Sequence, residues 1–420
     1  MRIVLFAVII ANIVCGFDAF FDNVLFSSET KKSIFSNLST AIVTYVELKD
    51  VSSLKEPYKY DLLNAENIIF SKTSLQIILP LLINGARKGS TKNELMSCLQ
   101  SINNEIPLNK KYKSELTFLN NFKNVDFHIE NAIYVHKSIN LRAHFSSICI
   151  NKFHCSISKV DFKNRMEVAE TINSWVQETT NNEILHAISP VNINEDAKII
   201  LVNTVYLNTR LPNLKEKVMQ RKFHVSPSNW YYVPTIKFEK STFFYGEILH
   251  LNTKFIEIPF LNNKISMIIF LPNKNMEPGN LEYLIKIFSY KYKEITNTYI
   301  QKFEQNMELY LPKFTIQCTE DMTDLLHSTD IFTMFEDKAD FTRFSKIPLK
   351  VNNIVQKVSM RIKEEDSTIP EVKRREKKSV DSPQELIVDR PFFYIIVING
   401  KWSFVGAVRK PDFILTRDEL

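Results

Sequence analysis

The period of the apolar pattern changes along the chain, from helical spacing early to strand-like alternation late. Two segments repeat apolar residues every three or four positions, at Ile34, Leu38, Ile42 and Tyr45 and at Ala169, Ile172, Trp175 and Val176. Wound at about 3.6 residues per turn, each segment presents one apolar face, so both are predicted to be amphipathic helices.

Strand-like segments dominate the second half of the chain. Strands are predicted at 198–207, at 308–318, and in two pieces of 255–271 that join around Asn262-Asn263. The last two segments, 392–398 and 402–408, are joined by Asn399-Gly400, a dipeptide that accepts the positive φ angles of a tight hairpin turn. Helices early and strands late predict a mixed α+β fold.

Both ends of the chain carry features of secretory targeting. A charged start precedes an apolar run from Ile3 to Val14, and Val14-Cys15-Gly16 offers a cleavage site after Gly16. The chain ends in Arg417-Asp418-Glu419-Leu420, which resembles a retrieval signal read by a KDEL-type receptor. We therefore predict a signal peptide (1–16), a tail (412–420), and a soluble protein of the endoplasmic reticulum lumen, with partial secretion as the alternative.

Composition and charge exclude several classes of protein. With 45% hydrophobic and 24% charged residues, the chain has the composition of a globular protein with a sizeable core. A net charge of +6 with scattered Lys and Arg gives no basic stripe, so nucleic-acid binding is not predicted. Outside the leader no apolar run reaches the ~18 residues that cross a membrane, so no membrane insertion is predicted. Asn37-Leu38-Ser39 is a glycosylation sequon, with Asn37 as the acceptor.

The candidate chemistry does not point to an enzyme. Four cysteines follow the leader, Cys98, Cys149, Cys155 and Cys318. They lack CxxC spacing, and both buried free thiols and disulfides in any of three connectivities remain open. The chain has seven glycines and lacks a nucleophile elbow, an HExxH motif and a phosphate-binding loop. No catalytic residue, metal or cofactor is predicted.

Six groups of residues, in order along the chain, carry a resemblance to a known family. They are Asn67–Ser71 through Gly85–Thr91, Asn131–Phe145 with Ile172–Ile184 as the middle helical region, Leu201–Tyr206, Lys222–Val225, Leu311–Phe314, and the closing Asp389–Phe393 with Phe404–Pro411. Together they resemble the serpins. The resemblance implies one domain over 17–411, monomeric, with an α+β serpin fold: three β-sheets, eight to nine helices and an exposed reactive-centre loop.

The loop expected from this resemblance lies at about 363–388 and is highly charged. In an inhibitory serpin a protease cuts the loop, and its first half then inserts as a new strand of the main sheet. The hinge positions here are Glu364, Asp366, Ser367 and Pro370. Asp366 replaces the permissive hinge Gly, and Pro370 has no N–H for a central strand.

The side chains that follow the hinge also oppose insertion. In the family register, Ser367, Ile369, Glu371 and Lys373 would face the core. Burial of an unpaired charge costs several kcal/mol, which a partial pairing of Glu371 with Lys373 reduces without removing.

The resemblance also marks positions beneath the strands that part during insertion. Ser71 and Asn203 match the family there, whereas Gln356 stands where serpins usually carry His. Leu211 stands where serpins usually carry Trp, at the point where the sheet opens. Both departures favour a scaffold that does not insert its loop.

A basic cluster in the loop supports the competing interpretation. The cluster resembles the bait that convertase-directed insect serpins with retrieval tails present, and it would suit trypsin-like proteases or proprotein convertases. It consists of Lys373, Arg374, Arg375, Lys377 and Lys378. Counted from the hinge without gaps, the scissile bond is Val380–Asp381, which is two residues after the cluster.

A second serpin that is retained in the endoplasmic reticulum, the collagen chaperone serpin, also ends in Arg-Asp-Glu-Leu. The resemblance of this chain to that serpin makes Asp389 a possible client contact. We favour a non-inhibitory, client-binding or chaperone-like serpin, with a client protein and the KDEL-type receptor as partners. The alternative is an inhibitor whose partner is a serine protease.

Overall fold

The computed structural model describes residues 67–99, 105–122, 125–211, 216–226, 228–260, 264–274, 281, 284, 302–327, 330–363 and 384–411. The predicted signal peptide, the helix predicted around Ile34, the Asn37 sequon and the retrieval tail lie outside these residues. So does the loop segment 364–383. Among the described residues, no helix has the length and apolarity that crossing a membrane requires.

Six α-helices and fourteen strands are described. The helices are α1 (Lys72–Gly85), α2 (Ser90–Cys98), α3 (Glu105–Leu119), α4 (Ala143–Phe153), α5 (Arg165–Thr179) and α6 (Thr323–His327). The strands are β1 (Ile68–Ser71), β2 (Asp126–His136), β3 (Cys155–Val160), β4 (Ile199–Arg210), β5 (Glu216–Ser226), β6 (Asn229–Ile248), β7 (Thr253–Pro259), β8 (Ile265–Pro272), β9 (Phe303–Pro312), β10 (Thr315–Asp321), β11 (Asn353–Lys363), β12 (Gln384–Ile387), β13 (Phe392–Ile398) and β14 (Lys401–Val408). The expected eight to nine helices refer to the whole chain.

The strands form a five-stranded sheet and a nine-stranded network. The five-stranded sheet has the order β10-β11-β4-β2-β3. The network has the order β1-β14-β13-β8-β7-β6-β9-β12, with β5 paired to β6. A bulge between Phe238 and Ser241 divides the long strand β6, so that its first part pairs with β5 and its second part with β7. The five-stranded sheet and the two parts of the network correspond to the three sheets that were predicted.

Apolar burial covers both faces of the five-stranded sheet. Helix α1 is buried along its whole length, and it shares the largest core cluster with the inner face of this sheet. On the outer face, α5 and the segment after it pack over Tyr134, Val202 and Val355. The sheet therefore lies between two apolar layers, which positions the site described below.

Several predicted elements are confirmed. The helix around Ile172 is α5, the run 198–207 lies in β4, and 255–271 contains β7 and β8. The terminal hairpin turns at Asn399 and Gly400, whose φ angles are +50° and +76°. Both angles are in the left-handed region that a tight hairpin turn requires.

Two predicted elements are wrong in part. The strand predicted at 308–318 is two strands, because the chain leaves the nine-stranded network at Pro312, buries Phe314, and enters the five-stranded sheet as β10. Proline has no N–H to continue a ladder, which explains the break at this residue. The segment Asn131–Phe145 was placed in the middle helical region, yet residues 131–136 belong to β2, where their alternation pairs with β4.

Candidate functional site

The predicted reactive loop connects the two sheets. Strand β11 ends at Lys363 in the five-stranded sheet, and β12 begins at Gln384, where it pairs in parallel with β9 of the nine-stranded network. The predicted hinge and bait residues lie between these two ends, outside the described residues: Glu364, Asp366, Ser367, Pro370, Lys373, Arg374, Arg375, Lys377, Lys378 and the bond Val380–Asp381. Their predicted roles stay predictions.

The resemblance to serpins implies that an inserted loop would separate β4 and β11. They pair in parallel without interruption from Ile200–Asn353 to Arg210–Lys363. We call this line of pairing the β4–β11 seam. The sheet is therefore closed at the seam.

The three residues predicted to lie beneath the seam are brought together. Asn203 and Gln356 are direct partners across it. The Gln356 side chain accepts a hydrogen bond from the Ser71 N–H (3.0 Å) and donates to the Ser71 carbonyl (3.2 Å). Gln356 also donates to the Ser74 hydroxyl (2.8 Å), and this hydroxyl donates to the Asn203 side-chain oxygen. Ser74 thus bridges the two strands from below.

Two members of this cluster were not predicted from the sequence. Ser74 follows Ser71 at the start of α1, where the Ser71 side chain caps the helix by accepting from the Ser74 N–H (3.2 Å). Asn131 lies opposite Asn203 in β2, and it accepts a hydrogen bond from the Asn203 side chain (3.0 Å). The signal for Asn131 is a polar residue between Ile129 and Ile133, the apolar residues on the same face of β2.

Apart from Thr209 near the end of β4, the rest of the inner seam is apolar. Val205 and Leu207 of β4 and Val358 and Met360 of β11 are at most 1% exposed and belong to the largest core cluster. Leu211, predicted at the point where the sheet opens, is fully buried directly after the end of β4. If another strand entered between β4 and β11, its side chains on this face would be buried in an apolar layer that excludes water.

The possible client contact, Asp389, lies just beyond β12 and is 8% exposed. Its carboxylate accepts from Arg390 at 2.6 Å and pairs with Lys274 at 2.7 Å. A client arginine would therefore compete with Lys274, whose side chain is 64% exposed. The role of Asp389 in binding stays a prediction.

The four cysteines among the described residues are free thiols. Cys98, Cys149 and Cys155 are buried, and Cys318 is partly exposed. Burial raises the pKa of the Cys155 thiol, and the adjacent Cys149 thiol raises it further. Burial, helped by the carboxylate of Glu320, raises the pKa of Cys318 to about 12. These thiols are poor nucleophiles at neutral pH.

Comparison with known proteins identifies the family. The family model described as Serpin (serine protease inhibitor) matches residues 54–411. The chain is a serpin. Alaserpin of Manduca sexta is 30% identical over 296 residues, 69% of this chain and 74% of alaserpin. Antitrypsin of Bombyx mori is 26% identical over 329 residues, 76% of this chain and 82% of antitrypsin.

Solved structures agree with this assignment. Serpin48 of the insect Tenebrio molitor superposes with a TM-score of 0.71 at 25% identity, covering 92% of this serpin and all of that chain. The predicted serpin fold is therefore confirmed. The closed seam and the buried polar cluster beneath it therefore belong to a serpin fold.

Proposed function

We propose that this serpin binds a client protein in the lumen of the secretory pathway and does not trap proteases. The observation that supports this most directly is the contrast between the dry inner seam and the charged loop that would have to enter it. The family itself is established, and the proposal concerns what this member does with the fold.

The charge argument does not depend on the register of insertion. Successive residues of a strand face opposite sides of the sheet. Within residues 371–378, if odd-numbered residues face inward, the inward charged residues are Glu371, Lys373, Arg375 and Lys377; if even-numbered ones do, they are Arg374, Glu376 and Lys378. Either choice turns at least three charged side chains towards the inner face, which is lined by Val205, Leu207, Val358 and Met360.

The cost of such burial is large compared with protein stability. An unpaired charge that enters a closed apolar layer costs several kcal/mol, and a pair of charges needs good geometry to recover this cost. Pro370 adds a missing N–H in a strand that would have a neighbour on each side. Loop insertion is therefore unfavourable in this chain.

The test is to incubate the mature protein with trypsin and with a furin-like convertase. We expect cleavage within Lys373–Lys378, no SDS-stable complex with the protease, and a nicked protein with an unchanged thermal midpoint. A matched variant carries Asp366→Gly, Pro370→Ala, Glu371→Ala and Lys373→Ala in the same loop. This variant is expected to gain thermal stability after cleavage, because its loop can enter the sheet.

Protease inhibition is the second candidate, because the relatives favour it. The Bombyx mori relative is named antitrypsin, and the family model is described as serine protease inhibitor. The basic cluster Lys373–Lys378 suits trypsin-like proteases or convertases. An SDS-stable complex with either protease, accompanied by a rise in thermal stability, would establish this function and exclude the first.

The proposed location depends on the two chain ends. A leader at 1–16 and the terminal Arg417–Leu420 support retention in the endoplasmic reticulum through a KDEL-type receptor. Deletion of residues 417–420 is expected to move the protein from the cell lysate to the medium. An equal distribution of the two forms would contradict retention by the tail.

A further inference from the structure

Two of the four thiols lie at the junction between helix α4 and strand β3. Cys149 is near the end of α4, and Cys155 is the first residue of β3. The helix ends at His154, whose φ of +49° is in the left-handed region. The His154 N–H donates to the Cys149 carbonyl, so the chain turns back on the residue that carries the first thiol.

This turn places Cys155 against the Cys149 side chain. The Cys149 sulfur lies 3.8 Å from the Cys155 carbonyl oxygen. The Cys155 sulfur is two bonds from the Cα that carries this carbonyl, so the two sulfurs are within reach of each other. Both side chains are buried in the largest core cluster. Burial raises the pKa of Cys155 and the Cys149 thiol raises it further, in agreement with this proximity.

Strand β3 is the last strand of the five-stranded sheet. It pairs in parallel with β2, from Asn131–Cys155 to His136–Val160, and with no other strand among the described residues. Cys155 is thus the register partner of Asn131, which belongs to the polar cluster beneath the seam. A covalent bond at Cys155 would hold the first residue of this edge strand.

We propose that Cys149 and Cys155 form a disulfide that ties the edge strand β3 to helix α4, and that Cys98 and Cys318 stay thiols. The two cysteines are 6 positions apart, whereas the next shortest separation, from Cys98 to Cys149, is 51. The entropic cost of bringing two residues together rises with the length of chain between them. The short separation and the folded geometry therefore select the same pair.

The reaction is the oxidation of two thiols by a small disulfide such as glutathione disulfide. Both S–H bonds break and one S–S bond forms between Cys149 and Cys155. Two electrons and two protons pass to the oxidant, whose own S–S bond breaks to give two thiols. Because burial disfavours the reactive thiolate, we place this step during folding, before the two side chains are enclosed.

The proposal rests on the proposed function only in requiring an oxidising compartment. In the experiment an unrelated secretory leader replaces residues 1–16, and the protein is purified from both the cell lysate and the medium. The result then depends neither on the predicted leader nor on the retrieval tail. It is also independent of whether the serpin traps a protease.

The position of Lys152 between the two cysteines makes the bond directly visible. The protein is unfolded in iodoacetamide without a reductant and is then cut with trypsin, which cleaves after Lys and Arg. Fragments 143–152 and 153–159 are expected to stay joined until a reductant is added, whereas Cys98 and Cys318 carry the iodoacetamide label. Separate, labelled fragments, or a fragment joined to Cys98 or Cys318, would overturn the proposal.

Thermal unfolding of secreted variants tests the effect of the bond on stability. Cys149→Ser and Cys155→Ser are each expected to lower the thermal midpoint by about 3 °C more than Cys98→Ser does, because either change removes the bond. Cys98 is the matched control, since it is also buried and lies outside the pair. Equal midpoints for the three variants would show that the bond does not hold β3 and would overturn this part of the proposal.

Discussion

The strongest prediction on stability concerns Gln356, the residue that stands where serpins usually carry His. Substitution of Gln356 by Ala removes the side-chain partner of the Ser71 N–H, the Ser71 carbonyl and the Ser74 hydroxyl. Gln356 is 2% exposed, so water does not reach these groups from the surface. Ser74 keeps its hydrogen bond to Asn203. The main loss of hydrogen bonds therefore falls on the backbone N–H and carbonyl of Ser71.

The magnitude follows from these groups. A buried polar group that loses its partner costs about 1–3 kcal/mol, so the change at Ser71 is expected to cost about 3 kcal/mol. Unfolding entropy is about 2.1 cal/mol/K per residue, so for a chain of 420 residues a loss of 3 kcal/mol lowers the thermal midpoint by roughly 3 °C. Gln356→His is expected to recover about half of this loss, because a neutral imidazole supplies one donor and one acceptor.

Thermal scans at one fixed rate measure this prediction. Gln220→Ala, an exposed glutamine on β5, is the control and is expected to leave the midpoint within about 1 °C. A Gln356→Ala midpoint as close to the unmodified protein as that of the control would refute the reasoning. It would mean that the cluster beneath the seam contributes no net stability.

Two further predictions test buried polar groups elsewhere. The Tyr394 hydroxyl is buried without a hydrogen-bond partner among the described residues. Tyr394→Phe is therefore expected to leave the free energy of unfolding, measured in urea, unchanged or to raise it by about 1 kcal/mol. A decrease of more than about 1 kcal/mol would show that the hydroxyl has a partner. Burial raises the pKa of Glu130, so its ionised form destabilises the fold at neutral pH. Glu130→Gln should therefore be more stable than the unmodified protein at pH 7. This advantage should vanish as the pH falls through the raised pKa and below the ordinary pKa of a glutamate, because the Glu130 carboxyl is then neutral in both the folded and the unfolded protein. An advantage that persists at pH 4 would contradict this cause.

Much of the fold could be predicted because local chemistry determines it. Asn399-Gly400 accepts two positive φ angles, so the terminal hairpin follows from one dipeptide and the apolar runs on either side. The run 198–207 is apolar on both faces because β4 lies between two core layers. The division at Pro312 was missed, since alternation continues across the point where the chain changes sheets.

The site could be predicted only in part. Ser71, Asn203 and Gln356 were found through the resemblance to the family, and the structure brings them together. Ser74 was missed because a serine near a helix start already has a local explanation as part of a cap.

The position of β13 has a consequence for a molecule cut in its loop. This strand lies between β14 and β8, and residues 392–396 are completely buried. The piece that begins after the cut contributes the middle of a continuous ladder, so the two polypeptides stay together as one particle. A cut molecule would elute from a sizing column like the uncut one and separate into two bands only in detergent. Native chromatography alone would therefore count both as the same species.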